Sequence, residues 1–501
     1  MPNEILSPDH IRDEHTVRVD FHKLSILAGP GCAILLYFAA PSTFLDDTGA
    51  VIELDHRVRI VIAIAAWMAI WWITEAIPMA ATALLPVTLF PVLGLTSLKA
   101  AAEPYAHPLI FLFLGGFLVS IALQKWGLHR RFAVSLLRRV GRDQARVVAG
   151  FMLVTAFLSM WLSNTATTLM MLPIALSVIG AQEQDSDFAK CLLLSLAYSA
   201  SIGGMATLIG TPPNLFVASY FTDVLGIEIG FVRWVAIGAP CVALLLPTAW
   251  LYLTRIHFSL SRNENSRVAD IAGSGLVWGE LDRGGRSTLL VFCALVFAWV
   301  IRPWIGDLAI FGALPFSRLS DTGVALLAGV SLFVFPVDLT RRRFVLDWPD
   351  TIEVPWGTLI LIGGGLSLAA TINVTGADQI MGLWISRMPL MPPIVMVTLI
   401  VGLVILLTEL TSNIATTATL VPVLASSAPL LLLKPDIVIV VVALAASCAF
   451  MLPVATPPNA IIFATGRVRA PEMAAAGLAM NIFALVVISV VGYALIPLVL
   501  R

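Results

Sequence analysis

Ser163-Asn164-Thr165-Ala166-Thr167, followed by Gly210-Thr211-Pro212-Pro213-Asn214, has a near-copy half a chain away: Ser412-Asn413-Ile414-Ala415-Thr416, followed by Ala455-Thr456-Pro457-Pro458-Asn459. Asn164 and Asn413 lie 249 positions apart, and Asn214 and Asn459 lie 245 apart, in a chain of 501 residues. The chain therefore reads as a duplicated unit. Each copy sets a polar, helix-breaking cluster inside long uncharged stretches, and in a membrane such interruptions mark a binding site.

The membrane assignment comes from composition. Hydrophobic residues make up 59% of the chain and charged residues 12%, against roughly 25% charged in soluble domains; the mean hydropathy is +0.94. Uncharged runs such as Leu24 to Leu45, Val147 to Gln182, Cys191 to Thr222, Ile437 to Gly466 and Met473 to Leu500 reach or exceed the ~20 apolar residues that span a bilayer. The first run follows a polar stretch of over twenty residues and lacks a small-residue cleavage site, so it does not read as a cleaved signal peptide. The fold class expected is an all-α integral membrane protein, multi-pass in the cell membrane with the lipid bilayer as its solvent.

Net charge is −1, but the basic residues are unevenly placed. Lys125, Arg130, Arg131, Arg138, Arg139, Arg142 and Arg146 crowd one loop; Arg255, Arg262, Arg267, Arg283 and Arg286 another; Arg341 to Arg343 and the pair Arg467 and Arg469 mark two more. The positive-inside rule makes all four cytoplasmic. One topology satisfies this. From a cytoplasmic N terminus, span 1 (about 24–43) exits, span 2 (58–75) returns, span 3 (79–97) exits and span 4 (108–126) returns. The 36 residues from Val147 to Gln182 are too long for one upright span at 1.5 Å per residue and fit a re-entrant hairpin from the cytoplasmic side. Span 5 (189–221, broken at the Pro pair) exits, span 6 (231–254) returns, span 7 (287–303) exits, span 8 (321–338) returns and span 9 (355–376) exits. A second hairpin (391–430) dips from outside, span 10 (437–466, broken) returns, and span 11 leaves the C terminus outside.

Five spans, an odd number, separate the two Ser-Asn clusters, so the second repeat is inverted relative to the first. Leu114-Gly115-Gly116 in span 4 matches Ile362-Gly363-Gly364 in span 9 at an offset of 248. Inverted repeats are the architecture of secondary transporters, with the site between the halves. In hydrocarbon, irregular backbone is tolerated only where it is buried in protein or lines a wet cavity. The Pro pairs remove donors and break spans 5 and 10. Each break exposes carbonyls that can hold a cation, and each hairpin tip offers a helix N-terminus suited to an anion. Ser, Thr and Asn supply neutral oxygens for a hard cation such as sodium and O–H or N–H donors for a carboxylate. One such set per repeat places two cations beside one anion.

Trp71-Trp72-Ile73-Thr74-Glu75-Ala76-Ile77-Pro78, Phe111-Leu112-Phe113-Leu114-Gly115-Gly116-Phe117, Lys125-Trp126-Gly127-Leu128-His129 and the doubled Ser-Asn and Thr-Pro-Pro-Asn motifs together resemble the divalent anion/sodium symporter family. The resemblance runs from span 1 to span 11. It implies 11 transmembrane helices with two opposed re-entrant hairpins, and a homodimer whose transport domain moves as an elevator against a scaffold, carrying a C4-dicarboxylate or citrate with Na+. In that arrangement 1–23 is a cytoplasmic N-terminal segment, 24–130 and 256–390 are scaffold, and 131–255 and 391–501 are the two parts of the transport domain. The first sodium site would map onto Ser159, Ser163, Asn164 and Gly210, the second onto Thr408, Thr411, Asn413 and Ala455, partly through carbonyls. The substrate would be met by Asn164, Thr165 and Asn413, with Ser163, Ser412, Thr211 and Thr456 beside them. The chain departs from the family at Ile414, where a Thr is usual; an apolar side chain cannot donate to a carboxylate, and a missing donor at a polar site shifts specificity. A sodium-independent carboxylate exchanger, or a carrier of sulfate or another anion on the same fold, is the alternative.

Each residue also has a plainer reading. A Ser or Thr in a membrane helix more often bonds its own backbone or a neighbouring helix than a ligand; it is the matched duplication that favours a site. Glu409, the sole charge in the second hairpin, is a functional candidate by default or equally a structural acceptor for neighbouring N–H groups. Glu75, before Pro78, reads as structural. The 13 Trp read as interfacial anchors and packing. Cys32, Cys191, Cys241, Cys293 and Cys448 show no paired spacing, so neither disulfides nor a metal centre is expected. No Gly-rich loop ending in Lys-Ser/Thr is present, which argues against an ATP-driven pump. The seven His lie in or near loops, and no enzyme chemistry and no nucleic-acid partner are expected.

Overall fold

The computed structural model describes residues 8–39, 43–45, 51–53, 55–137, 143–179, 186–258, 260, 281–305, 318–377 and 391–500. Arg138, Arg139 and Arg142 of the first basic loop and Arg262 and Arg267 of the second lie outside them. The architecture is the expected all-helical membrane type, with only two small two-stranded sheets among the described residues.

Among the described residues, seven helices are long and apolar enough to cross a membrane: His56–Thr74, Leu98–Lys125, Phe231–His257, Arg283–Ile305, Trp356–Thr375, Asn413–Leu431 and Ala470–Val499. Six carry spans 2, 4, 6, 7, 9 and 11, and one is the second arm of the second hairpin. Spans 1, 3, 5, 8 and 10 are shorter or interrupted. Three of these depart from the expected boundaries. Span 1 belongs to a helix that begins at Pro8 and runs to Ala39, because Pro at the first helical turn is well placed and no Gly or Pro follows until Gly29; residues 8–23 of the N-terminal segment are thus helical. Span 3 is two pieces, Met79–Thr82 and Leu85–Val92, since Pro86 cannot donate within a continuous ladder. Span 8 is helical only over Asp321–Ser331; after it the chain forms an antiparallel pair of strands, Pro336–Asp338 with Arg343–Phe344.

The hairpins fold as expected and alike. Gln144–Ser159 and Asn164–Ile179 form the first, Pro393–Thr408 and Asn413–Ser427 the second, and in each the tip is the four residues ending in Ser163 or Ser412. Span 5 runs as Asp187–Gly204, breaks, and resumes as Pro212–Tyr220; span 10 runs as Pro435–Ala446, breaks, and resumes as Pro457–Phe463. The first halves of these two helices are largely apolar, and Cys191–Gly204 and Ile437–Ala446 are buried throughout. A helix hydrophobic all round belongs in the interior, so both breaks are carried into the centre of the protein. They meet there, with Cys448 Sγ 3.8 Å from Met205 Sδ.

The Gly-Gly pairs of spans 4 and 9 do matched work. A Cβ on Gly115 would lie 2.4 Å from the backbone of Ala325 in span 8, and one on Gly364 would lie 2.2 Å from the carbonyl oxygen of Ala83, at the break in span 3. Close backbone approach through small residues is how membrane helices pack without a hydrophobic driving force between them. It packs span 4 on span 8 and span 9 on span 3.

Candidate functional site

Both hairpin tips and both helix breaks open onto one cavity of about 1000 Å³. Ser163, Asn164, Thr165, Gly210 and Thr211 line it from the first repeat, and Thr411, Ser412, Asn413, Ala455 and Thr456 from the second. Of the residues expected at the site, only Ser159 and Thr408 are not on its wall; they are fully buried immediately behind it. Four helices start at the cavity, with Ser163-Asn164, Thr211-Pro212, Ser412-Asn413 and Thr456-Pro457 at their first turns. No Lys, Arg or His is among the described lining residues, so positive potential comes from helix ends alone.

Behind each tip lies the same arrangement. Ser159 Oγ is 2.7 Å from both Asn164 Oδ1 and the Ala200 carbonyl oxygen. Thr408 Oγ1 is 2.8 Å from both Asn413 Oδ1 and the Ala446 carbonyl oxygen. A hydroxyl has one proton, so in each copy one donor serves two acceptors. In the first repeat the Gly210 carbonyl joins them: a Cβ on Gly204 would meet Asn164 Oδ1 at 2.6 Å and Gly210 O at 3.1 Å, so only glycine leaves these oxygens facing the same small space. An excess of neutral oxygens over protons suits a hard monovalent cation. The residues present therefore fit sodium.

The Asn of each Thr-Pro-Pro-Asn loop holds its break in shape. Asn214 Nδ2 donates to the carbonyls of Gly204 at 3.2 Å and Thr207 at 2.8 Å; Asn459 Nδ2 donates to those of Ala449 at 3.2 Å and Leu452 at 3.0 Å. Both side chains are fully buried. The breaks are thus preset rather than slack, and the cost of the donors lost to Pro-Pro is offset locally.

Three differences between the copies bear most directly on the cavity. Ile414 sits on the cavity wall where Thr165 sits in the first copy. Ser163 Oγ accepts from the Ala166 N–H at 3.2 Å, whereas Ser412 makes no such capping bond, so its hydroxyl and one more helix-start amide face the cavity. Finally, Glu409, 4% exposed, is a structural acceptor. Its Oε1 accepts from the amides of Phe450 at 2.7 Å and Met451 at 2.9 Å and from Asn481 Nδ2 at 2.7 Å, and its Oε2 accepts from the amide of Leu452 at 3.0 Å. The carboxylate is filled by donors and does not line the cavity.

The opposite wall comes from spans 2, 4 and 9, and the sequence reading missed most of it. Glu75 closes helix His56–Thr74 with a left-handed φ of 46° and its N–H on the Trp71 carbonyl, the structural role expected, but its side chain also lines the cavity, with Gln124, Glu353 and Thr358. These residues are scattered over three spans without a shared motif, and only the tertiary fold gathers them.

A citrate transporter family profile matches residues 69–445. The sodium-dependent dicarboxylate transporter SdcS of Staphylococcus saprophyticus is 36% identical over 489 residues, 95% of this chain and 92% of its own. SdcS of Staphylococcus aureus USA300 is 37% identical over 459 residues, 88% and 86% of the two chains. Two solved structures share the fold at low identity: MtrF of Neisseria gonorrhoeae, with TM-score 0.59 and 13% identity over 96% of this chain and 94% of its own, and the YdaH transporter of Alcanivorax borkumensis, with TM-score 0.57 and 14% identity over 95% and 98%. A doubled hairpin-and-break site within a membrane bundle, a matching profile over most of the length and extensive identity to dicarboxylate carriers agree: the chain belongs to the citrate transporter family.

Proposed function

We propose that this chain is a secondary active transporter that moves C4-dicarboxylates such as succinate, malate or fumarate, or a related di- or tricarboxylate, by symport with sodium. The observation that carries this is the cavity itself, where four helix starts and two acceptor-rich oxygen sets converge with no basic side chain on the described wall. A dianion gains from helix N-termini but cannot be neutralised by them, and two cations at the oxygen sets supply the missing charge. Sodium is proposed at Ser159, Ser163, Asn164 and Gly210 and at Thr408, Thr411, Asn413 and Ala455, the carboxylate at Asn164, Thr165 and Asn413, with Thr211 and Thr456 nearby. The free Ser412 hydroxyl takes the place of the one that Ile414 lacks. Sodium loads first, orders the tips and lowers the cost of admitting the anion.

The same reading assigns 24–130 and 256–390 to a scaffold and 131–255 with 391–501 to a domain that slides across the membrane as an elevator, in a homodimer, with the N terminus cytoplasmic and the C terminus outside. Charge placement supports this orientation. Under it Glu75, Gln124 and Glu353, at the cytoplasmic ends of spans 2, 4 and 9, put the cavity mouth on the cytoplasmic side. The test is uptake of labelled succinate, malate and citrate into proteoliposomes. Uptake that requires an inward sodium gradient is expected; uptake indifferent to sodium and driven by internal carboxylate would identify an exchanger instead.

A further inference from the structure

The segment 221–231, which joins spans 5 and 6, is held from two sides. On one side His107, at the start of span 4, accepts the Leu109 N–H on Nδ1 at 3.2 Å, which leaves Nε2 as the protonated nitrogen, 2.9 Å from Asp223 Oδ1. On the other, Asp321 at the start of span 8 is 5% exposed; its Oδ2 accepts the Phe231 N–H at 2.8 Å and its Oδ1 accepts from Arg302 Nε. Arg302 Nη2 also lies 3.7 Å from Glu228 Oε1. The fit is close, since a Cβ on Gly230 would come within 2.9 Å of both Arg302 Nη2 and Asp321 Oδ2. The Phe231 ring stacks on Trp299 of span 7 at 4.6 Å.

Each of these bonds to the segment runs from the proposed moving domain to the proposed scaffold, and each lies on the face opposite the cavity mouth in the proposed topology. We propose that His107, Arg302 and Asp321 form an outer clasp that holds segment 221–231, and with it the transport domain, at the cytoplasm-open end of its travel. The inference rests on the elevator reading. The partners are distributed so that the clasp can open: Arg302 and Asp321 both belong to the scaffold and stay paired when the segment leaves, so no buried charge is stranded. Asp223 and Glu228, 38% and 68% exposed at their side chains, pass to water. What is lost on opening is the Phe231 amide bond, the contacts of His107 with Asp223 and of Arg302 with Glu228, and the ring stack. Loss of these shifts the population without abolishing either state.

The test uses a reporter thiol, Val454→Cys, on the cavity wall, in the full-length chain with Cys32 and Cys293, the two thiols that are not buried, replaced by alanine. A membrane-impermeant maleimide is applied from each side of oriented vesicles. The reporter chain is expected to react from the cytoplasmic side. Combining Asp223→Asn with Glu228→Gln, both on exposed side chains, is expected to raise reactivity from outside about threefold, and Asp321→Asn about tenfold. Outside reactivity that stays unchanged in both variants, with sodium-driven uptake at the parent rate, overturns the clasp. A parent chain already reactive from outside overturns it together with the orientation. A shift in labelling in protein that takes up none of the carboxylates supports the clasp and overturns only the cargo.

Discussion

Asn481 Nδ2 donates to Glu409 Oε1 at 2.7 Å, and this one bond ties span 11 to the tip of the second hairpin. In the first repeat the equivalent link runs from Trp234 Nε1 to the carbonyl of Met205 at 3.1 Å, span 6 to break, with no charge involved. The second break is therefore shaped around a buried anion and the first is not.

Glu409→Gln removes that anion and sets an amide donor against backbone N–H groups. Hydrogen bonds to a charged acceptor are worth ~1.5–3 kcal/mol each, and a buried donor left unpaired carries a similar penalty. The break that carries Ala455 and Thr456 should loosen. The expected result is a sodium half-saturation concentration raised about tenfold or more in uptake assays with protein that still folds; an unchanged sodium titration would show that the carboxylate contributes to neither site.

Asn164→Ala and Asn413→Ala each delete the amide oxygen that the tip hydroxyl bonds. A ligand at ~100 times its Kd stabilises the native state by about 2.7 kcal/mol. Each variant is expected to lose the rise in melting temperature that sodium and carboxylate give together, while keeping the melting temperature of the ligand-free parent within a few degrees. A thermal-shift titration checks both halves of the statement.

Ile414→Thr restores a donor to the second tip. One net hydrogen bond is worth ~0.5–1.5 kcal/mol, so KM for the preferred dicarboxylate is expected to change up to about tenfold, and the ranking of succinate, malate and citrate with it. Competition assays on the two proteins side by side measure this directly; identical rankings would mean that Ser412 alone satisfies that end of the substrate.

Gly364→Ala drives a methyl group to 2.2 Å from the Ala83 carbonyl oxygen. Overpacking of this kind costs ~1–3 kcal/mol and should lower the melting temperature in detergent. Gly31→Ala is the control: nothing lies within 4 Å of the added carbon, the site is helical, and alanine there should be neutral or stabilising by ~0.5–1 kcal/mol.

Much of the site was legible in the sequence because it is written twice. Ser159 and Thr408, Asn164 and Asn413, and Gly210 and Ala455 occupy like positions in the fold, and the two Asn of the Pro-Pro-Asn loops bond like carbonyls. Duplication turned weak local signals into a strong one. Single-copy features were harder. Glu75, Gln124 and Glu353 reach the cavity only through the packing of three spans, and no local pattern announces it. Glu409 was visible as an anomaly, but its role depends on three amides more than forty residues away. Hydropathy reads spans 3 and 8 as continuous and does not see that Pro86 removes a donor at the break in span 3 or that span 8 gives way to a strand pair at Pro336.

The described cavity wall has carboxylates among its lining and no fixed positive side chain. A bare dicarboxylate approaching it meets those carboxylates with only helix ends, and no side-chain cation, to offset them. Under the proposed symport, selection for co-loaded substrate begins in the electrostatics of this wall, ahead of any moving part, and each ligand raises the affinity of the other by the same factor. Under that symport, a carrier built this way resists moving its anion alone, because helix ends by themselves do not neutralise a dianion.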